Sequence, residues 1–133
     1  MDYTFDCCIE ENRLANTTLL LYYCIMKILD YTTTGGKNVI TNYIDKLPAG
    51  DRAAIYFIRT LIEEDGLLAF DLLDTKPLYK KIHEIRISKE RIAYVLVSEE
   101  RVYFLHIFRK QKGKTELKDK NLAIKRAKEE NLL

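Results

Sequence analysis

The apolar positions Val39, Ile40, Tyr43, Ile44 and Leu47 recur at helical spacing and stop at Pro48. They predict a helix ended by a residue that has no N–H to donate. Asp51 is a ready N-cap for a second helix. Its inner face would be Ala54, Ile55, Ile58, Leu61 and Ile62, and Gly66 is the natural left-handed terminator. Only Pro48-Ala49-Gly50 lies between the two, so they should pack as an antiparallel hairpin. After a loop around Asp74–Pro77 the period becomes two. Ile82–Ile87, Ile92–Val97 and Val102–Phe108 read as strands, joined by Ser88-Lys89-Glu90 and Ser98-Glu99-Glu100. Connections this short force antiparallel neighbours.

Upstream, residues 19–32 are rich in Leu, Ile and Tyr, and their second half reads as a strand before Thr33–Gly36 break the chain. Residues 1–18 show no useful period. Thr115 to about Asn131 is helix-prone, with Leu117, Ile124 and Ala127 apolar. The expected fold is therefore α+β: an N-terminal strand, a helical hairpin, a three-stranded antiparallel β-meander and a C-terminal helix. A curved sheet would carry the hairpin on one face.

At 133 residues, 47% hydrophobic and 32% charged, the chain is long enough for one domain with its own core and needs no metal or disulfide staple. The longest apolar run, Leu19–Met26, is eight residues, far short of the ~20 of a membrane helix. Acidic residues precede it, unlike the positive start of a signal peptide, which points to the cytoplasm. Cys7, Cys8 and Cys24 offer neither C-x-x-C nor an even count, so they read as plain thiols. Neither a cofactor nor a metal is expected.

The net charge of +2 is unevenly spread. Residues 1–25 and 26–75 each carry −3, whereas residues 76–133 carry +8. A basic half on a small domain suits an anionic partner, nucleic-acid phosphate being the commonest. Gly35-Gly36-Lys37 fails the phosphate-loop pattern, because Tyr31 and Asn38 stand where Gly and Ser or Thr are required. His83 alternates with Ile85 and Ile87, and by the same period His106 would share a face with Val102, Phe104 and Phe108. Each reads as a satisfied core or boundary residue.

The telling group is Glu84, Arg86, Arg91, Arg109, Lys110, Lys112 and Lys114. A β-meander would gather them into one concave basic patch, with Arg91 and Lys110 at solvent-facing strand ends. Cleavage of RNA by its own 2′-hydroxyl needs a base, an acid for the leaving 5′-oxygen and, above all, cations around the phosphorane. Arg grips phosphate oxygens bidentately and Lys supplies point charge or a proton. An ordinary solvated basic face would use the same residue types.

These residues carry a resemblance. Ile82-His83-Glu84-Ile85-Arg86-Ile87, Arg91-Ile92-Ala93-Tyr94 and Phe104-Leu105-His106-Ile107-Phe108-Arg109-Lys110 resemble the RelE/ParE toxin superfamily, most of all its HigB-like, phage-related branch. Ala123 and Arg126 fit that branch's last helix, and Leu61-Ile62-Glu63-Glu64-Asp65-Gly66 fits the end of its hairpin. The similarity covers residues 26–133. Glu90 departs from it, standing where an aromatic usually precedes the Arg. Gln111 and Glu116 depart as well, and Glu84 occupies a position where RelE has Lys.

The resemblance implies the toxin of a type II toxin–antitoxin pair, a ribosome-dependent mRNA endoribonuclease that leaves a cyclic phosphate and a 5′-hydroxyl. In that reading Arg91 and Lys110 flank the phosphate. Arg109, Lys112 and Lys114 hold RNA, Glu84 is the candidate base, and Arg86 either orients Glu84 or touches substrate. The implied partners are the ribosome with its mRNA and a cognate antitoxin, commonly a helix-turn-helix protein. A ParE-like inhibitor of DNA gyrase and an inactive binding module are the alternatives. Residues 1–25 have no counterpart in the resemblance, so 26–133 is expected to be the complete toxin domain and 1–25 a dispensable extension. A chain beginning at Met26 should then fold and stay toxic on induction; an unfolded or harmless truncation contradicts this.

Overall fold

A computed structural model describes residues 25–111 and 117–133. The elements run β1 (Lys27–Asp30), α1 (Val39–Asp45), α2 (Ala49–Asp65), α3 (Leu67–Leu72), β2 (Thr75–Tyr79), β3 (Ile82–Ile87), β4 (Glu90–Ser98), β5 (Arg101–Arg109) and α4 (Leu117–Glu129). The strands form one mixed sheet in the order β1-β5-β4-β3-β2. β1 lies parallel to β5 and the other neighbours are antiparallel. The architecture is α+β as expected, but the meander has four strands rather than three. Thr75–Tyr79, read from sequence as a loop because of Asp74 and Pro77, is the edge strand β2. Proline is tolerated there because an edge strand need not offer every N–H to a neighbour.

Two apolar layers flank the sheet. On one face Ile40 and Ile44 of α1, Ile55 and Ile62 of α2 and Ala69 of α3 pack against Ile28, Ile85, Ile92, Tyr94, Val102, Phe104 and Ile107. On the other, Ala123 and Ala127 of α4 cover Ile82, Ala93, Val95 and Leu105. The inner faces of the first two helices follow the predicted spacing, except that Ala54 is exposed. Pro48, not Asp51, is the N-cap of α2; Asp51 sits in its first turn. Gly66, at φ +63°, separates α2 from α3, and a Cβ there would lie 2.6 Å from Ile25 Cγ2.

Arg59 breaks the apolar pattern of α2 by pointing inward. Its Nη1 and Nη2 donate to Asp30 Oδ1 and Oδ2 of β1, each at 2.9 Å, and the pair is buried. Asp30 Oδ2 also accepts from Asn38 Nδ2 at 3.2 Å, while Asn38 Oδ1 caps α1 by accepting from the Ile40 and Thr41 amides. One carboxylate thus ties the edge strand to both hairpin helices. Removing one member of a buried pair strands the other charge, at a cost of about 3–5 kcal/mol, whereas replacing both by apolar residues of similar volume costs far less. Urea denaturation should show Asp30→Ala losing that amount, and Asp30→Leu/Arg59→Met recovering most of it.

Candidate nucleic-acid interface

The site lies on the α4 side of the sheet. Register sets its rows: Arg86 of β3 faces Arg91 of β4, which faces Phe108 of β5, and one row inward Glu84 faces Ala93, which faces His106. Two guanidiniums opposite each other repel, and each is anchored differently. Arg86 forms a bidentate pair with Asp74, its Nε to Oδ2 at 3.2 Å and Nη2 to Oδ1 at 3.0 Å, and this pairing holds its pKa above the ordinary arginine value. Asp74, not Glu84, is the carboxylate that orients it. Arg91 is only 7% exposed, which corrects the expected solvent-facing position. Its Nη1 donates to the Ser88 and Glu90 carbonyls, both at 2.8 Å. Among the described residues nothing hydrogen-bonds its Nε or Nη2.

Lys110 arrives at the same end of the sheet. Its amide donates to the Lys89 carbonyl at 2.8 Å, which places it beside the β3–β4 turn that holds Arg91. Glu84 is 3% exposed and covered, one row behind this edge. Arg109 is not in the patch. It lies on the hairpin face, where its Nη2 is 2.6 Å from Glu90 Oε2 and 3.9 Å from Asp51. That interaction is electrostatic, since Oε2 gains no aligned hydrogen bond, whereas Glu90 Oε1 accepts from Tyr43 Oη at 2.6 Å. Burial, then this bond, pushes the Tyr43 pKa up. Lys112 and Lys114 lie outside the described residues, as do the three cysteines.

The expected face of His106 also needs correction. Ala93 pairs with His106 but Tyr94 pairs with Phe104, so Leu105 is an extra residue in β5. Beyond this bulge the alternation flips, and His106 and Phe108 face α4 while Val102 and Phe104 face the hairpin. His106 Nε2 lies 2.9 Å from Asp119 Oδ1, and Nδ1 lies 3.4 Å from Arg126 Nη1, which also donates to the Leu105 carbonyl at 2.9 Å. A neutral ring with its proton on Nε2 satisfies both partners. Strand periodicity gave no signal for Asp119 or Asp74, since both lie outside the strands.

Among the described residues no three His, Cys, Asp or Glu side chains gather where they could hold a metal ion, and no helix is long and apolar enough to cross a membrane. What the face offers is a cationic clamp with bidentate capacity. The model of the phage-derived protein Gp49-like family (DUF891) matches residues 42–128, about two-thirds of the chain. The chain belongs to that family. Gp49-like proteins are a RelE/toxin-like family and commonly toxin-like. The matched span runs from α1 into α4 and so contains Glu84, Arg86, Arg91, His106 and Lys110 of this Gp49-like chain. No curated protein matches it.

Burial first, and the Arg126 charge second, lower the His106 pKa against the opposing pull of Asp119. The folded state therefore binds fewer protons than the unfolded chain, whose His titrates near 6.5. This contribution to stability is present above about pH 6.5 and is lost as the pH falls below it. Denaturation midpoints measured from pH 7.5 down to pH 5 should fall less steeply in His106→Gln than in the wild type; equal slopes contradict a lowered His106 pKa.

Proposed function

We propose that this Gp49-like protein is the toxin of a type II toxin–antitoxin pair and acts as a ribosome-dependent mRNA endoribonuclease of the HigB-like kind. The observation that carries the reading is the Arg86–Arg91 cross-strand pair with Lys110 at its open end. Two guanidiniums held against their own repulsion are poised for an anion that bridges them. In this mechanism the free edge of Arg91 grips two phosphate oxygens and stabilises charge as the phosphorane forms. Lys110 protonates the leaving 5′-oxygen. Glu84, covered behind the cations, offsets their charge, and the 2′-hydroxyl proton leaves to water. The family supports an antitoxin partner, and the basic half of the chain would steer an acidic partner surface to it in a salt-dependent way.

Loss of either charge should raise the barrier by about 2–4 kcal/mol, roughly 30- to 1000-fold in rate. Single-turnover cleavage of ribosome-bound mRNA by Arg91→Ala and Lys110→Ala checks this, with Lys125→Ala on the exposed side of α4 as control. Because Arg91 is buried, Arg91→Lys serves beside it as the variant that keeps the charge and loses the fork. Variants that cleave as fast as wild type place the chemistry elsewhere. Intact mRNA alongside broken chromosomal DNA favours the gyrase reading.

A further inference from the structure

The span Thr75–His83 contains Lys76, Lys80 and Lys81 and no acidic residue. It forms edge strand β2 and the turn into β3, so these lysines line the border of the sheet. All three are exposed, and among the described residues none has an ion pair. Lys120 of α4 reaches the same border. Its Nζ lies 5.8 Å from the centre of the Tyr79 ring, and Lys80 Nζ lies 5.4 Å from it. Two ammonium groups are thereby drawn to one aromatic side chain. Lys80 holds φ at +50°, a backbone conformation that glycine adopts more cheaply.

This border begins at the candidate site. Asp74 pairs with Arg86, Lys76 sits opposite Glu84, and Tyr79 sits opposite Ile82. Of the two acids along the way, Asp74 is engaged by its bidentate arginine and Glu84 is buried away from solvent. Lys76 to Tyr79 spans about 10 Å of strand, and Lys80 and Lys81 continue the row into the turn.

Resting on the RNA-cleavage reading above, we propose that Lys76, Lys80, Lys81 and Lys120 form a track for the single-stranded RNA that flanks the phosphate held at Arg86 and Arg91. Single-stranded RNA suits the residue types better than a protein does. Lysine is a strongly hydrated point charge, adequate for a flexible phosphate backbone, whereas protein interface cores are depleted in it.

The test is the salt dependence of binding of the full chain to a short fluorescein-labelled 2′-O-methyl RNA, which lacks the attacking hydroxyl. Replacing all four lysines by Gln should make the negative slope of log K against log salt shallower by about 3, at about 0.7 for each phosphate that is no longer neutralised. A control of equal charge change, Lys37, Lys46, Lys125 and Lys128 to Gln, should make it shallower by less than about 1. Equal slopes for the two variants overturn the track. An RNA slope unchanged while binding to poly-glutamate weakens also overturns it and assigns the lysines to an acidic protein. Because this probe cannot be cleaved, a failed track leaves the cleavage reading to its own assay. Conversely, inactivity towards mRNA leaves the slope measurement readable.

Discussion

One inserted residue in β5 governs how this fold presents its charges. Leu105 has no partner in β4, and the alternation of β5 is out of phase on its two sides. Before the bulge, Val102 and Phe104 bury against the hairpin; after it, Ile107 continues that core while His106 and Phe108 turn to α4. Without the extra residue, period two would carry His106, Phe108 and Lys110 to the hairpin side and Arg109 to the α4 side. α4 clamps the irregularity: Arg126 bonds the Leu105 carbonyl and stacks 4.5 Å from the Tyr31 ring, and Asp119 holds His106. A register fault in the central strands and the helix that stabilises it are therefore one device.

The same division into faces separates two kinds of arginine. Arg59 and Arg109 serve the architecture, the first by binding Asp30 beneath the hairpin and the second by neutralising buried Glu90. Arg86 and Arg91 face the other way, and their anchors leave part of each fork uncommitted. Glu90 links the two sets. Its side chain belongs to the hairpin network of Tyr43 and Arg109, while its carbonyl accepts from Arg91. The glutamate that departs from the expected aromatic thus has a role here: fixing the start of the strand that carries Arg91.

Much of the fold was legible because amphipathic spacing is a local signal. Ile40 and Ile44, Ile55 and Ile62, and the β3–β4 strand pair all follow from period alone. Strand β2 was not legible, since Asp74 and Pro77 are turn formers except at a sheet edge, and edge position is a tertiary property. The bulge was not legible either, because period-two reasoning assumes an unbroken ladder; this misplaced His106 and grouped Arg109 with the patch. Arg91, Lys110, Glu84 and Arg86 were singled out by charge and share one face, but burial divides them. Asp74 and Asp119, which orient the arginine and the histidine, become visible only when loops and helix meet the sheet.

The end-group chemistry of mRNA from cells making this protein tests the central claim most directly. If the Arg86–Arg91–Lys110 face stabilises attack by the 2′-hydroxyl, transcripts under translation should be cut to give cyclic phosphate on one side and 5′-hydroxyl on the other. Fragments ending in 3′-hydroxyl and 5′-phosphate, or intact transcripts in growth-arrested cells, would contradict the account.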